Sequence, residues 1–381
     1  MKFDRRELAG AVADVGVLVP IAVALIVGNG LSATAVLLPA GLLYLTAAFV
    51  YRLPIPVQPL KAFGAIAIAK GLGSDEIAAG ALLMGVIFIT LGRLGVLDLV
   101  ARGFPRALVR GVQLTVGLLF LKIAWGLVSD PPRALAEQAL DPAVAIPLSL
   151  VVLGLALALK QQSVSLALVG AGGVAMLLLE AEELSLGPSA LEAPSLDAST
   201  LLTALTVLVV PQLPLSFANS CLATADAART YFGEQARRVR PGILATTFGS
   251  ANLLAGSLSG MPVCHGAGGL TAHHAFGART GGAPVVMGGA LVILGVCFGA
   301  GLAPLLAAFP LPILAGLLAS AGLLHIGLLR DLRGAYDWAL ALVVGAVGFE
   351  LNLTIALVLG LAAWWLPRGA RALRERPAFG A

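Results

Sequence analysis

The chain has 381 residues, 59% of them hydrophobic and only 12% charged, against roughly a quarter charged in a soluble domain. A mean hydropathy of +0.97 sustained over that length excludes a globular soluble surface. The net charge of +4 is too thinly spread to mark a nucleic-acid binder, and the three cysteines and four histidines lack the spacing of a disulfide framework or a metal site.

The N-terminus, Met1 to Glu7, is charged and then turns apolar. Asp4, Glu7 and Asp14 oppose a cleaved signal peptide, and a second apolar stretch follows directly, so none is expected. Apolar segments then succeed one another at 8–28, 31–51, 75–100, 106–128, 142–159 and 163–180. After a polar stretch at 181–198 they resume at 199–228, 242–259, 284–307, 311–329, 335–350 and 352–367. Each is near the roughly 20 residues that span a bilayer. Two more segments, 54–71 and 261–278, are shorter and interrupted by Gly and Pro. One is third in the chain, the other third after the polar break.

Counting both predicts an all-α integral membrane protein of 14 transmembrane elements, seven on each side of 181–198. The cations agree. With a cytoplasmic N-terminus and every element crossing, twenty of the 24 Lys and Arg fall inside, among them Arg52, Arg106, Arg110, Arg229, Arg240, Arg279 and Arg330. Asp130, Glu137, Asp141, Glu182, Glu183, Glu192 and Asp197 fall outside. That is the positive-inside pattern, and dropping either broken segment spoils it. An odd number per half makes the second half enter from the opposite side, a 7+7 inverted repeat. The expected units are 1–180, 199–367 and a cytoplasmic tail at 368–381, with no soluble C-terminal domain.

In such repeats the substrate sits near the midplane, at discontinuous helices in matching positions, here the third and tenth elements. The third opens Leu53-Pro54-Ile55-Pro56-Val57-Gln58-Pro59-Leu60-Lys61. Proline disfavours helix in the residue before it, so 53–57 is expected extended, and Pro59 suits a first helical turn. The tenth reads Ser259-Gly260-Met261-Pro262-Val263-Cys264-His265-Gly266-Ala267-Gly268-Gly269. Two half-helices after two extended stretches aim free amides and positive dipole ends at one point, a geometry that binds anions. Gln58 and His265 are expected as direct donors, with Lys61 adding charge unless it snorkels to the membrane edge. Cys264 contributes through its backbone. Gln212 and Asn219, in the eighth element, suit an oxyanion or an interhelical bond equally. Asp14, inside the first span, is costly there; carrying a coupling proton and capping a broken helix both remain open for it. Asp337 is expected to pair with Arg333.

These residues carry a resemblance. Pro54-Ile55-Pro56-Val57-Gln58-Pro59-Leu60-Lys61-Ala62 resembles the PVQPMKA signature of the molybdate transporter type 1 family, with Leu60 where Met is usual. The run Met261 to Gly269, continuing through Phe276-Gly277-Ala278-Arg279-Thr280-Gly281, resembles that family's second signature. Gln212-Leu213-Pro214-Leu215 with Asn219-Ser220 is similar to its eighth-helix segment. The family belongs to the SulP sulfate permease superfamily; this branch lacks the C-terminal STAS domain. The resemblance implies uptake of molybdate or sulfate through a core of helices 1–4 and 8–11 moving against a gate of 5–7 and 12–14. It points to Gln58, Lys61, Cys264, His265 and Gly266 as the binding residues.

A nucleobase–proton symporter on the same fold is the nearest alternative. Such carriers are similar in using Glu on the eighth and tenth helices, where this chain has Gln212 and His265. An anion channel would line a continuous polar path, whereas polarity here concentrates at the two breaks. No nucleophile–base pair suggests an enzyme. The partners to consider are the oxyanion, the bilayer of the cell inner membrane, protons and a second copy of the chain as a homodimer. No cofactor, metal or nucleic acid is expected.

Overall fold

The computed structural model describes residues 1–12, 15–97, 99, 103–131, 135–136, 139–158, 161–180 and 185–374. Asp14 lies outside these, as do Arg102, Arg133, Glu137, Lys160, Glu182, Glu183 and Arg376. The regular structure among the described residues is helical apart from one two-stranded pairing.

α1 (Arg5–Ala11) begins at Asp4, whose carboxylate accepts from the Arg6 and Glu7 amides at 3.0 Å each. α2 (Val15–Val23) passes Pro20 and widens into a π turn at Ala24–Gly28, as a ladder missing one donor can. The segment expected as one span at 8–28 is therefore two helices. α3 (Ala33–Tyr51), β1 (Gln58–Pro59), α4 (Lys61–Lys70) and α5 (Ser74–Leu94) follow. Next come α6 (Arg106–Ser129), α7 (Pro142–Ala158) and α8 (Gln161–Glu180). The helical run α9 (Ala198–Arg238) contains Pro211 and Pro214 and carries two π stretches, Ala204–Val209 and Ser216–Ala223.

Beyond it lie α10 (Pro241–Ser257), β2 (Val263–Cys264), α11 (Ala267–Ala275), α12 (Gly282–Cys297) and α13 (Gly299–Ala307). α14 (Leu311–Gly327), α15 (Ala335–Glu350) and α16 (Leu353–Arg374) close the fold. The expected span 284–307 is not straight: α12 and α13 bend by 95°. The carbonyls that a continuing helix needs are captured from outside. The Thr34 hydroxyl donates to Gly295 O at 2.6 Å, and the Gly187 amide donates to Cys297 O at 2.8 Å.

Among the described residues, five helices are long and apolar enough to cross a membrane, or six with the bent pair as one.

The helices gather into two bundles. In one, α3 lies along α12 and α5 along α10, around α4, α9 and α11. In the other, α6 lies along α14 and α15, and α14 along α7. The two principal pairings of the first bundle match under exchange of the chain's halves, as do α14 with α7 and α6 with α15. Glycine lets the backbones touch. A Cβ at Gly41 of α3 would stand 2.8 Å from the Gly288 carbonyl of α12, and one at Gly117 of α6 would stand 2.7 Å from the Gly322 carbonyl of α14. The expected Asp337–Arg333 pair is absent; among the described residues the one ion pair joins Arg110 of α6 to Asp331, just past α14.

Candidate anion site

The stretch 53–57 is non-helical, as expected, but it is not extended throughout: it bends at Leu53, where the Ile55 amide donates to Leu53 O at 2.8 Å, and strand pairing starts at Gln58. Pro59 sits in β1 rather than in a first helical turn, because β1 pairs antiparallel with β2, Gln58 opposite Cys264 and Pro59 opposite Val263. The Leu60 amide then donates to Pro262 O at 3.2 Å, and Lys61 becomes the first residue of α4. Across the pair, Asn252 of α10 accepts from the Val263 amide at 2.7 Å, and α11 starts at Ala267 after Gly266. In an antiparallel pair the following helices depart in opposite directions. Their N-termini face each other across the strands.

Four amides open each helix without an intrahelical acceptor. In α4, the Phe63 amide donates to Gln212 Oε1 of α9 at 3.0 Å, while Gln212 Nε2 donates to Ser216 Oγ at 3.0 Å. The amides of Lys61 and Ala62, and those of Ala267, Gly268 and Gly269 in α11, have no acceptor among the described residues. Two positive dipole ends and at least five amide donors thus converge.

Gly266 is required by close approach. A Cβ there would stand 2.2 Å from Gln58 Oε1 and 3.4 Å from Asn219 Nδ2, so the carboxamides of Gln58 and Asn219 both lie against this one backbone position.

A cavity of about 1030 Å³ reaches this point. Lys61, Gln212, Asn219, Cys264, Ala267 and Gly268 line its inner end, all from the α3–α12 bundle, and Gln113, Leu324 and His325 from α6 and α14 form the facing wall. Arg106, Arg110 and Arg229 line it too, against one carboxylate, Asp226. Arg110 is spent on Asp331 and on Gln113 Oε1 at 2.8 Å. The remaining field is positive and favours an anion.

Six of the seven expected binding residues therefore meet: Gln58, Lys61, Gln212, Asn219, Cys264 and Gly266. The side chain of His265 does not join them as a direct donor. It is fully buried, with Nδ1 donating to Pro56 O at 2.8 Å. Nε2 then accepts from the Thr247 hydroxyl at 3.1 Å, and Thr247 is bonded in turn to Tyr51 at 2.7 Å. Tyr51 and Phe248 meet the ring edge-on. His265 fastens the 53–57 stretch to α10 behind the site. Residue type alone could not separate these roles, because a ligand and a strut use the same imidazole donors.

Three residues escaped the sequence reading. Glu7 is buried, and its carboxylate accepts from the amides of Arg279, Thr280 and Ala283 at 2.8, 2.9 and 3.2 Å; it caps α12 across 272 residues of chain. Gln113 and His325 reach the cavity from the opposite bundle, and nothing in their local sequence announces it.

Two interrupted helices meeting head-on beside a cavity between two bundles define a multi-pass membrane transporter. Comparison with known proteins agrees. The profile of the family described as "Molybdate transporter of MFS superfamily" matches residues 6–120 and 204–324, and the chain belongs to that family, one of transporters and not of enzymes. It is 28% identical to Molybdate transporter 1 of Arabidopsis thaliana, over 93% of this chain and 86% of that one. A shorter stretch, 38% of this chain and 29% of the relative, is 39% identical to Molybdate transporter 1 of Chlamydomonas reinhardtii. The fold is similar to the transmembrane domain of the cyanobacterial bicarbonate transporter BicA, with TM-score 0.66 and 18% identity over 94% of this chain and 98% of that one. It is also similar to the murine anion transporter Slc26a9 in its inward-facing state, with TM-score 0.68 and 14% identity over 97% of this chain and 69% of that one.

Proposed function

We propose that this protein carries a tetrahedral oxyanion, molybdate foremost and sulfate as a competitor, across the cell inner membrane. The observation that carries this reading is the convergence of unbonded α4 and α11 amides beside Lys61 at the inner end of a positively charged cavity. Amides in fixed directions suit a tetrahedron of acceptor oxygens, and Lys61 supplies countercharge in a site where charge is weakly screened. Gln58, Asn219 and the backbone at Gly266 complete the ring of donors, while the Cys264 amide is held in the β1–β2 ladder. Gln212 and His265 act one step back, holding the α4 terminus and the 53–57 stretch in place. A nucleobase carrier of this design would need carboxylates that Gln212 and His265 do not supply.

The proposed topology has fourteen elements as two inverted units, 1–180 and 199–367, with both chain ends in the cytoplasm. Arg106, Arg110 and Arg229, assigned to the cytoplasmic side by the positive-inside pattern, line the same cavity as Lys61. The cavity accordingly faces the cytoplasm, and transport is a sliding of elements 1–4 and 8–11 against 5–7 and 12–14. The matched pairings α3 with α12 and α5 with α10 support that division, since each half supplies the same parts.

A thermal-shift panel of molybdate, tungstate, sulfate, uracil and xanthine on the purified protein tests the substrate class. Ligands that bind only the native state raise its apparent stability. Stabilisation by molybdate and none by the nucleobases is expected; the reverse order would refute the anion reading. Gln58→Ala and Asn219→Ala are each expected to weaken molybdate binding about tenfold, the equivalent of about 1.4 kcal/mol.

A further inference from the structure

The α14 face of the cavity carries one titratable group, His325. Its Nδ1 lies 2.8 Å from the carbonyl oxygen of Ala321, one helical turn earlier. A carbonyl only accepts, so Nδ1 holds the hydrogen and the lone pair of the neutral ring is on Nε2. Phe120 of α6 stands edge-on to the ring at 5.8 Å and limits its rotation. The imidazole is half-buried and lines the same cavity as Lys61. Lys61 opens α4, on the opposite bundle. The cavity therefore sets a fixed cation on one wall against a switchable one on the other.

We infer that His325 completes the anion site from the opposite bundle: its Nε2 takes a proton from cavity water as a dianion seats beside Lys61, and returns it to water as the anion leaves. This rests on the oxyanion reading above. In the empty cavity a second positive charge beside Lys61 is disfavoured, and Nε2 stays unprotonated. A seated dianion reverses the local sign, and the imidazolium then donates to it. By linkage, protons and anion each raise the other's affinity by the same factor.

The other charges around the ring do not supply this switch. Arg106 and Arg229 are permanent cations, and Arg110 is paired with Asp331. Asp226, on α9, is exposed. On α6, Lys122 stands over Phe349, 5.8 Å from the ring centroid. α2 and α7, which also pack on α14, carry no titratable side chain, and the one on α8 is Glu180, at its end.

Calorimetry of molybdate binding to the full-length protein, across a pH range where molybdate stays a dianion and in buffers of differing ionisation enthalpy, tests the inference. Wild-type protein is expected to take up a fraction of a proton per anion bound, its affinity falling by up to about tenfold per pH unit toward basic pH. His325→Asn places an amide donor where Nδ1 stood and removes Nε2; proton uptake and the pH slope should both vanish. His325→Gln should do the same. Proton uptake that persists in both variants overturns the inference, as does uptake lost in Asp14→Asn but kept in His325→Asn. Wild-type binding without proton uptake also overturns it while leaving the oxyanion site standing. Failure to bind any oxyanion would instead remove the reading beneath it.

Discussion

Gly266 lies where the Gln58 and Asn219 carboxamides close on the backbone, and its substitution separates binding from folding. A methyl group there meets the end of the Gln58 side chain, at 2.2 Å from Oε1. Gln58 can swing aside, but only by leaving the position in which its carboxamide faces the ligand. Gly266→Ala is expected to reduce molybdate affinity tenfold or more, with a small change in unliganded melting temperature. Gln212→Ala should act differently, by stranding the buried Phe63 amide, at a cost of about 1–3 kcal/mol. Both stability and affinity should then fall in thermal and calorimetric measurements. His265→Ala removes two hydrogen bonds and the packing of Tyr51 and Phe248, so a fall in stability should precede any effect on binding. The residue types at the site were legible from their motifs. Their division into proposed ligands and struts was not, since that depends on which groups across the fold take up the hydrogen bonds of each side chain.

At the scale of elements, the helix ends carry the argument. α12 is capped by a carboxylate from α1, at the far end of the chain. Glu7→Gln keeps one acceptor but loses charge and turns an N–H₂ toward amides that need oxygen. A loss of about 1–3 kcal/mol is expected, read as a lower melting temperature. The link between α6 and the turn after α14 behaves otherwise with pH. The Arg110 guanidinium holds the Asp331 carboxyl below the usual carboxylate range. A carboxyl depressed in the folded state contributes stability that is present above its unfolded value and lost as pH falls through its folded value. Asp331→Asn should therefore destabilise at neutral pH by about 1 kcal/mol or less, as for a largely exposed pair. The gap to wild type should close in acid, below the ordinary carboxylate range, in melting curves taken across pH. Element boundaries were partly legible. Pro54, Pro56 and Pro262 announced the two strands, whereas the 95° bend between α12 and α13 depends on Thr34 and Gly187, remote in sequence and silent about their target.

For the molecule as a whole, the cavity lies on the seam between two bundles, with the dipole ends on one and His325 on the other. A cysteine pair joining α4 to α6, which are in contact, should stop molybdate uptake into liposomes once oxidised and leave equilibrium binding nearly intact. Reduction should restore transport; uptake that continues through a complete cross-link would argue against relative movement of the bundles.

Composition and the spacing of prolines were enough to reveal a membrane-embedded chain broken at two matching places, because burial in lipid demands apolar length and internally satisfied backbone, and both are written locally. Contacts between distant segments were needed for everything finer. The antiparallel pairing of Gln58 with Cys264, the turning of His265 away from the cavity, the cap from Glu7 and the placing of His325 and Lys61 on one cavity all join residues far apart along the chain. No local pattern encodes such meetings; they follow from how the bundles pack, and packing is settled only when the whole chain has folded.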